Sequence, residues 1–126
     1  MNRTLALLLT AALLLACSQA ALAQQDMKTL APAALGKLTR PPAQFAHDQH
    51  NEKAGLTDCV VCHHGGADGK QDKTASTEGT PCSDCHKVKT PKGKGTDLTR
   101  AYHKQCIGCH KAKGKGPVAC GQCHKR

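Results

Sequence analysis

The sequence predicts a small, mostly irregular chain with a few short α-helices, room for one short two-stranded β-sheet, and an interior supplied by bound groups instead of apolar side chains. Three observations predict it. Between Arg40 and Arg126, 87 residues hold only eight Leu, Ile, Val or Phe: Phe45, Leu56, Val60, Val61, Val88, Leu98, Ile107 and Val118. A Cys-x-x-Cys-His unit recurs four times, at residues 59–63, 82–86, 106–110 and 120–124. The connecting stretches 65–81 and 90–99 are rich in Gly, Lys, Thr and Asp and read as exposed loops.

At the N-terminus, Arg3 precedes an apolar run over residues 4–16 that is too short to span a bilayer, and Ala21-Leu22-Ala23 closes a small-residue stretch. Residues 1–23 therefore read as a secretory signal peptide. Leu14-Leu15-Ala16-Cys17 admits a second cut, before Cys17, which would then carry a lipid. Residues 24–43 form a lead-in. Within it, Leu35-Gly36-Lys37-Leu38-Thr39 alternates weakly enough for a short strand at most, and Pro41-Pro42 imposes extended backbone. The chemical domain is then 44–126, with short helices around each Cys-x-x-Cys-His unit and at 98–109.

Eighteen Lys and Arg stand against nine Asp and Glu, for a net charge of +9, which becomes +8 once Arg3 leaves with the leader. The basic balance does not point to nucleic acid, because Phe45 and Tyr102 are the only aromatics in a chain read as secreted. By composition alone the segment after Arg40 cannot bury enough apolar area to offset the entropy of ordering it. Something other than side chains must supply its interior.

The repeated unit names that supply. In Cys-x-x-Cys-His the two thiols add to the vinyl groups along one porphyrin edge, and the adjacent imidazole ligates the iron. Two intervening residues let one turn of chain bring both sulfurs to that edge. Cys59 and Cys62, Cys82 and Cys85, Cys106 and Cys109, and Cys120 and Cys123 are thus the attachment residues for four c-type haems, with His63, His86, His110 and His124 as iron ligands. Disulfides or all-cysteine zinc sites would also use eight cysteines, but neither needs a His after each pair. With 8 His in 126 residues, finding one at all four positions by chance has a probability of about 10^-5. Four large, mostly apolar rings also supply the missing interior, so the haem-free polypeptide should be unfolded.

The remaining histidines match the remaining coordination positions. Eight His minus the four in the motifs leaves His47, His50, His64 and His103. Met1 falls in the leader and Met27 in the lead-in, so His/Met ligation is not expected, and the four irons should be bis-histidine, six-coordinate and low in potential. Because His63 and His64 are consecutive, they cannot stand on opposite faces of one ring, and His64 must serve another haem. His47 and His50, three apart, project in similar directions and should grip two different irons.

Phe45-Ala46-His47-Asp48-Gln49-His50 followed by Cys59-x-x-Cys62-His63-His64 resembles the tetrahaem class III cytochromes c, the cytochrome c3 family of sulfate-reducing bacteria. The stretch from Tyr102-His103 through Cys106-x-x-Cys109-His110 to Gly116-Pro117 and Cys120-x-x-Cys123-His124 also resembles the three-haem members. The likeness covers residues 43–126. It implies a small multihaem cytochrome wrapped round four haems, in which His47 is distal to the haem of Cys59 and Cys62, and His64 to that of Cys82 and Cys85. It also implies His50 for the haem of Cys106 and Cys109, His103 for that of Cys120 and Cys123, and Phe45 packed between two haems. Many tetrahaem members space two cysteine pairs with four intervening residues, whereas all four pairs here have two.

The expected function is electron transport in the periplasm without catalysis at the iron, since filled axial positions leave no site for substrate. About 103 residues fit in a radius of gyration of roughly 13 Å, which keeps four haems close together. Lys87, Lys89, Lys92, Lys94, Lys111, Lys113, Lys115, Lys125 and Arg126 crowd the C-terminal third. They form either a solvated face or a patch that steers acidic redox partners, such as a periplasmic hydrogenase or membrane multihaem complexes. Alternatives are a terminal reductase of metals or sulfur compounds and a lipid-anchored subunit of a membrane redox complex.

Overall fold

The computed structural model describes residues 27–67 and 70–126; the leader and both of its candidate cut sites, after Ala23 and before Cys17, lie outside the described residues. Two small antiparallel sheets and four helices are strung along largely irregular chain. Strand β1 (Thr29–Leu30) pairs with β2 (Ala43–Gln44) in the register Thr29↔Gln44 and Leu30↔Ala43. A 3-10 turn at Ala33–Leu35 lies between them. The pairing continues as single bonds from the Phe45 N–H to the Lys28 carbonyl and from the His47 N–H to the Met27 carbonyl. The strand of the lead-in is thus Thr29–Leu30, and residues 35–39, where weak alternation suggested one, form none. Leu35 and Leu38 stand three apart, so in a strand they would point to opposite faces and build no apolar face.

Helix α1 (His47–Ala54) was not expected from the sequence. Its eight residues, His-Asp-Gln-His-Asn-Glu-Lys-Ala, carry no apolar stripe, and its N-cap, Ala46, makes no side-chain bond. The end charges favour it, with Asp48 in the first turn and Lys53 in the last, and the Gly55 N–H closes it onto the Asn51 and Glu52 carbonyls. A 3-10 turn at Cys59–Val61 follows, with the Asp58 carboxylate accepting the Val60 N–H at 3.1 Å.

The stretch 65–81, read as an open loop, contains a hairpin: β3 (His64–Ala67) against β4 (Lys70–Ser76). Its register runs Ala67↔Lys70, Gly66↔Gln71 and Gly65↔Asp72, then shifts at a bulge so that His64 faces Ser76. Every residue of β4 is exposed. Backbone pairing holds this ribbon, together with bonds from the Thr77 N–H to the His63 carbonyl (2.7 Å) and the Thr77 hydroxyl to the His64 carbonyl (3.2 Å). A strand buried on neither face has no reason to alternate, so its sequence carries no period-2 signal. Gly66 is required by space, since a Cβ there would meet the Lys70 carbonyl oxygen at 2.5 Å.

Helices α2 (Cys82–Cys85) and α4 (Cys120–Cys123) are single turns. Helix α3 (Leu98–Lys113) is the longest element and runs four residues beyond the expected 98–109. Asp97 caps it through its carboxylate to the Arg100 N–H at 2.9 Å. Lys111 and Lys113 complement the dipole of the last turn, and the chain leaves at Gly114. Gln105 ties α3 to the first motif by donating from Nε2 to the Val61 carbonyl at 2.6 Å. Among the described residues, Leu98 is the only buried hydrophobic side chain, at 0% exposure, and no polar side chain is buried. No helix among them is long and apolar enough to cross a membrane.

Candidate metal centres

Each Cys-x-x-Cys-His unit is wound as one turn. The His N–H returns to the carbonyl of the first cysteine in three of the units, His63 to Cys59 (2.8 Å), His86 to Cys82 (2.8 Å) and His124 to Cys120 (2.9 Å). The remaining unit, 106–110, lies within α3. Local helical geometry thus sets each pair of sulfurs and the following imidazole on one short piece of chain. None of the eight described cysteines forms a disulfide.

The imidazoles meet in four pairs. Ring centroids lie 6.3 Å apart for His47 and His63, 6.0 Å for His64 and His86, 6.0 Å for His50 and His110, and 6.2 Å for His103 and His124. Each pair joins one motif histidine to one histidine outside that motif. His63 and His64 belong to different pairs, as do His47 and His50. These spacings are too long for a ring–ring hydrogen bond, and they match one metal between two nitrogens. With metal–nitrogen bonds of about 2 Å and a ring radius of about 1.1 Å, two imidazoles on opposite faces of one metal have centroids about 6.2 Å apart.

Among the described residues, no three His, Cys, Asp or Glu converge as a site for a bare metal ion, which disfavours zinc held by cysteines. Two axial nitrogens and no more are what an iron needs when a porphyrin supplies the four equatorial donors. The near-absence of a side-chain core fits the same group, since rings laid between the imidazole pairs would add the apolar area that Leu98 alone does not.

The second nitrogen of most rings is already committed. Nδ1 of His86 pairs with the Thr96 carbonyl (2.9 Å), of His110 with Pro117 (2.6 Å), of His124 with Pro41 (2.7 Å) and of His64 with Gly65 (2.9 Å). An N–H donated to a carbonyl fixes the tautomer, fixes the ring's orientation and leaves Nε2 with its lone pair. Nδ1 of His47 lies 2.8 Å from the Asp48 carboxylate, and Nδ1 of His50 is buried without a protein partner. The phenyl ring of Phe45 sits between these two imidazoles, 6.0 Å from His47 and 5.1 Å from His50.

Burial pushes the thiols of Cys62 and Cys106 up, even though both residues retain surface open to solvent, because neighbouring chain crowds the sulfurs. A hydrogen bond with Glu78, reinforced by its charge, raises the Cys59 thiol. Burial first, then Cys82, raises the Tyr102 phenol.

Sequence reasoning did not find Asp48, Gln105 or the carbonyls of Pro41, Thr96 and Pro117. Backbone carbonyls carry no side-chain signature, so only the placement of Pro-Pro at 41–42 and Gly-Pro at 116–117 hinted at them. Gly116 is part of the same arrangement: a Cβ there would lie 2.6 to 2.9 Å from three atoms of the His110 ring.

Residues 23–124 match the model of the class III cytochrome c family. Cytochrome c3 of Desulfovibrio desulfuricans is 36% identical over 110 residues, covering 82% of this chain and 97% of that protein. The nine-heme cytochrome c of Desulfovibrio desulfuricans is 34% identical over 86 residues, which is 68% of this chain and 22% of that one. Among solved structures, a cytochrome c7 from Geobacter sulfurreducens aligns with a TM-score of 0.39 and 26% identity, over 80% of this chain and 99% of that one.

Proposed function

From the premise that this chain belongs to the class III cytochrome c family, we propose that it is a periplasmic, low-potential electron carrier with four bis-histidine haems. Family membership carries with it covalent c-type haem, iron binding and electron transport. The observation that supports the number four and the ligand set is the group of four imidazole pairs at 6.0 to 6.3 Å, each containing one motif histidine.

Haem iron supplies a one-electron couple when bound, and the chain decides how that couple is held. Thioethers at Cys59 and Cys62, Cys82 and Cys85, Cys106 and Cys109, and Cys120 and Cys123 would fix the four rings. His63, His86, His110 and His124 would be the proximal ligands, partnered in that order by His47, His64, His50 and His103. Carbonyls of Thr96, Pro117 and Pro41 hold three proximal rings by Nδ1, so those imidazoles keep their orientation when the charge at the metal changes. Protein nitrogen on both faces leaves no position for substrate, which favours transport of electrons over catalysis. Phe45 would separate the two haems whose distal ligands α1 provides.

Partners are expected to be acidic redox proteins, hydrogenase-like donors and membrane multihaem acceptors. Lys87, Lys89, Lys92, Lys94, Lys111, Lys113, Lys115, Lys125 and Arg126 are all exposed and form the docking surface in this reading. Export through the 1–23 leader would deliver the chain to the periplasm.

A spectroscopic redox titration of the holoprotein tests the proposal. The expected result is four haems, all low-spin when oxidised, with every couple at low potential, and by mass spectrometry an intact mass equal to the mature polypeptide plus four haems. A Met-ligated, high-spin or positive-potential haem would overturn it. Electron transfer to an acidic partner should slow as ionic strength rises, and rates indifferent to salt would remove the docking surface.

A further inference from the structure

We propose that Asp48 is a positioning residue that lowers the reduction potential of a single haem, the one attached through Cys59 and Cys62, by holding the Nδ1 proton of His47. The proposal rests on the reading of His47 as a distal ligand.

The rings differ in what backs them. Four imidazoles, those of His64, His86, His110 and His124, have Nδ1 against a neutral backbone carbonyl. Only His47 has a carboxylate there, Asp48 Oδ1 at 2.8 Å, the single contact at ion-pair distance among the described residues. Hydrogen bonds to a charged acceptor are roughly twice as strong as neutral ones. A carboxylate that draws the Nδ1 proton toward itself leaves the imidazole more electron-rich at Nε2. Such a ligand stabilises ferric iron more than ferrous iron, and the potential falls.

Local structure prepares the pair. Asp48 stands in the first turn of α1, where the positive end of the helix dipole favours a carboxylate. His50, three residues after His47 on the same helix, has its Nδ1 buried with no protein partner. One helix therefore supplies two distal imidazoles with unequal partners at Nδ1. His47 serves the haem of Cys59 and Cys62, and His50 that of Cys106 and Cys109, with the Phe45 ring between them. In this way α1 builds a potential step between two neighbouring haems. The Asp48 side chain is 54% exposed, so water screens part of the effect.

Asp48→Asn keeps the shape and removes the charge. An NMR-followed redox titration that resolves the haems individually should show one midpoint rising and three unmoved, with the low-spin signature intact. The expected size is up to about a tenfold change in the oxidised-to-reduced ratio of that haem at fixed solution potential, ~59 mV for a one-electron couple. Asp48→Ala should give a shift at least as large, and Asp48→Glu should restore part of it. Four unmoved midpoints, or an equal shift at all four, would overturn the proposal. His47→Ala separates this from the ligand assignment. If it turns one haem high-spin while Asp48→Asn moves no potential, ligation stands and the role of Asp48 fails. If His47→Ala leaves every haem low-spin, the ligand reading itself is wrong.

Discussion

His103→Ala isolates one axial ligand with little collateral damage. His103 lies in the body of α3, is exposed, and has its ring 6.2 Å from that of His124. Alanine is the better helix former by up to about 0.7 kcal/mol, so α3 itself should persist. The iron bonded to His124 would keep one protein nitrogen and become five-coordinate or take a water. One haem in four should therefore turn high-spin, and a quarter of the oxidised low-spin signal should disappear. Paramagnetic resonance and visible spectra of the oxidised protein report that fraction directly. Added imidazole should restore it, because the cleft left by the side chain admits a free ring. The potential of that haem should also rise, since a strong donor has been lost. Spectra unchanged from the parent protein would show that His103 is not a ligand. Loss of more than one low-spin haem would show that the four sites are not independent, and would refute the pairing drawn from ring distances.

Gly116→Ala should disturb the haem of Cys106 and Cys109 from outside its motif: the new Cβ would fall 2.9 Å from His110 Nε2, and φ of +92° strains any L-residue. The cost should exceed about 1 kcal/mol, with incomplete haem loading or high-spin character confined to that site; a fully loaded low-spin protein of parental stability would contradict this. Leu98→Ala removes the one fully buried side chain among the described residues and should cost about 2 to 5 kcal/mol in denaturant unfolding of the holoprotein, whereas Val88→Ala, at a site 45% exposed, should cost far less. Polypeptide made without haem should lack near-native circular dichroism and dispersed NMR signals, and a compact, cooperatively melting haem-free form would contradict the idea that the cofactor is the core.

What could be read from residues alone differs from element to element. Helix α3 was legible over 98–109, while its last turn to Lys113, closed at Gly114, lay beyond the expected range. Helix α1 was not, because His-Asp-Gln-His-Asn-Glu-Lys-Ala offers no apolar stripe; its first residue is instead tied to the lead-in by the His47 N–H bond to the Met27 carbonyl. The hairpin of β3 and β4 was missed for a related reason. Every residue of β4 is exposed, and a ladder of backbone bonds needs no particular side chains.

The candidate site divides along the same line. Attachment chemistry is local: two thiols and an imidazole within five residues need one turn of chain, and that turn forms wherever the motif occurs. The sequence by itself therefore named the candidate attachment residues, matched eight histidines to four expected irons, and set His63 and His64 apart as candidates for different haems. The order of the four distal partners came from family resemblance, which the ring distances match, because His50 and His110 are sixty positions apart and nothing local relates them. Only tertiary structure decided that Pro41 backs His124 across 83 residues and that Gln105 reaches Val61 across 44. Contacts of this kind close long loops and use backbone carbonyls that every residue possesses, so they leave no mark in composition or spacing until the chain has wrapped.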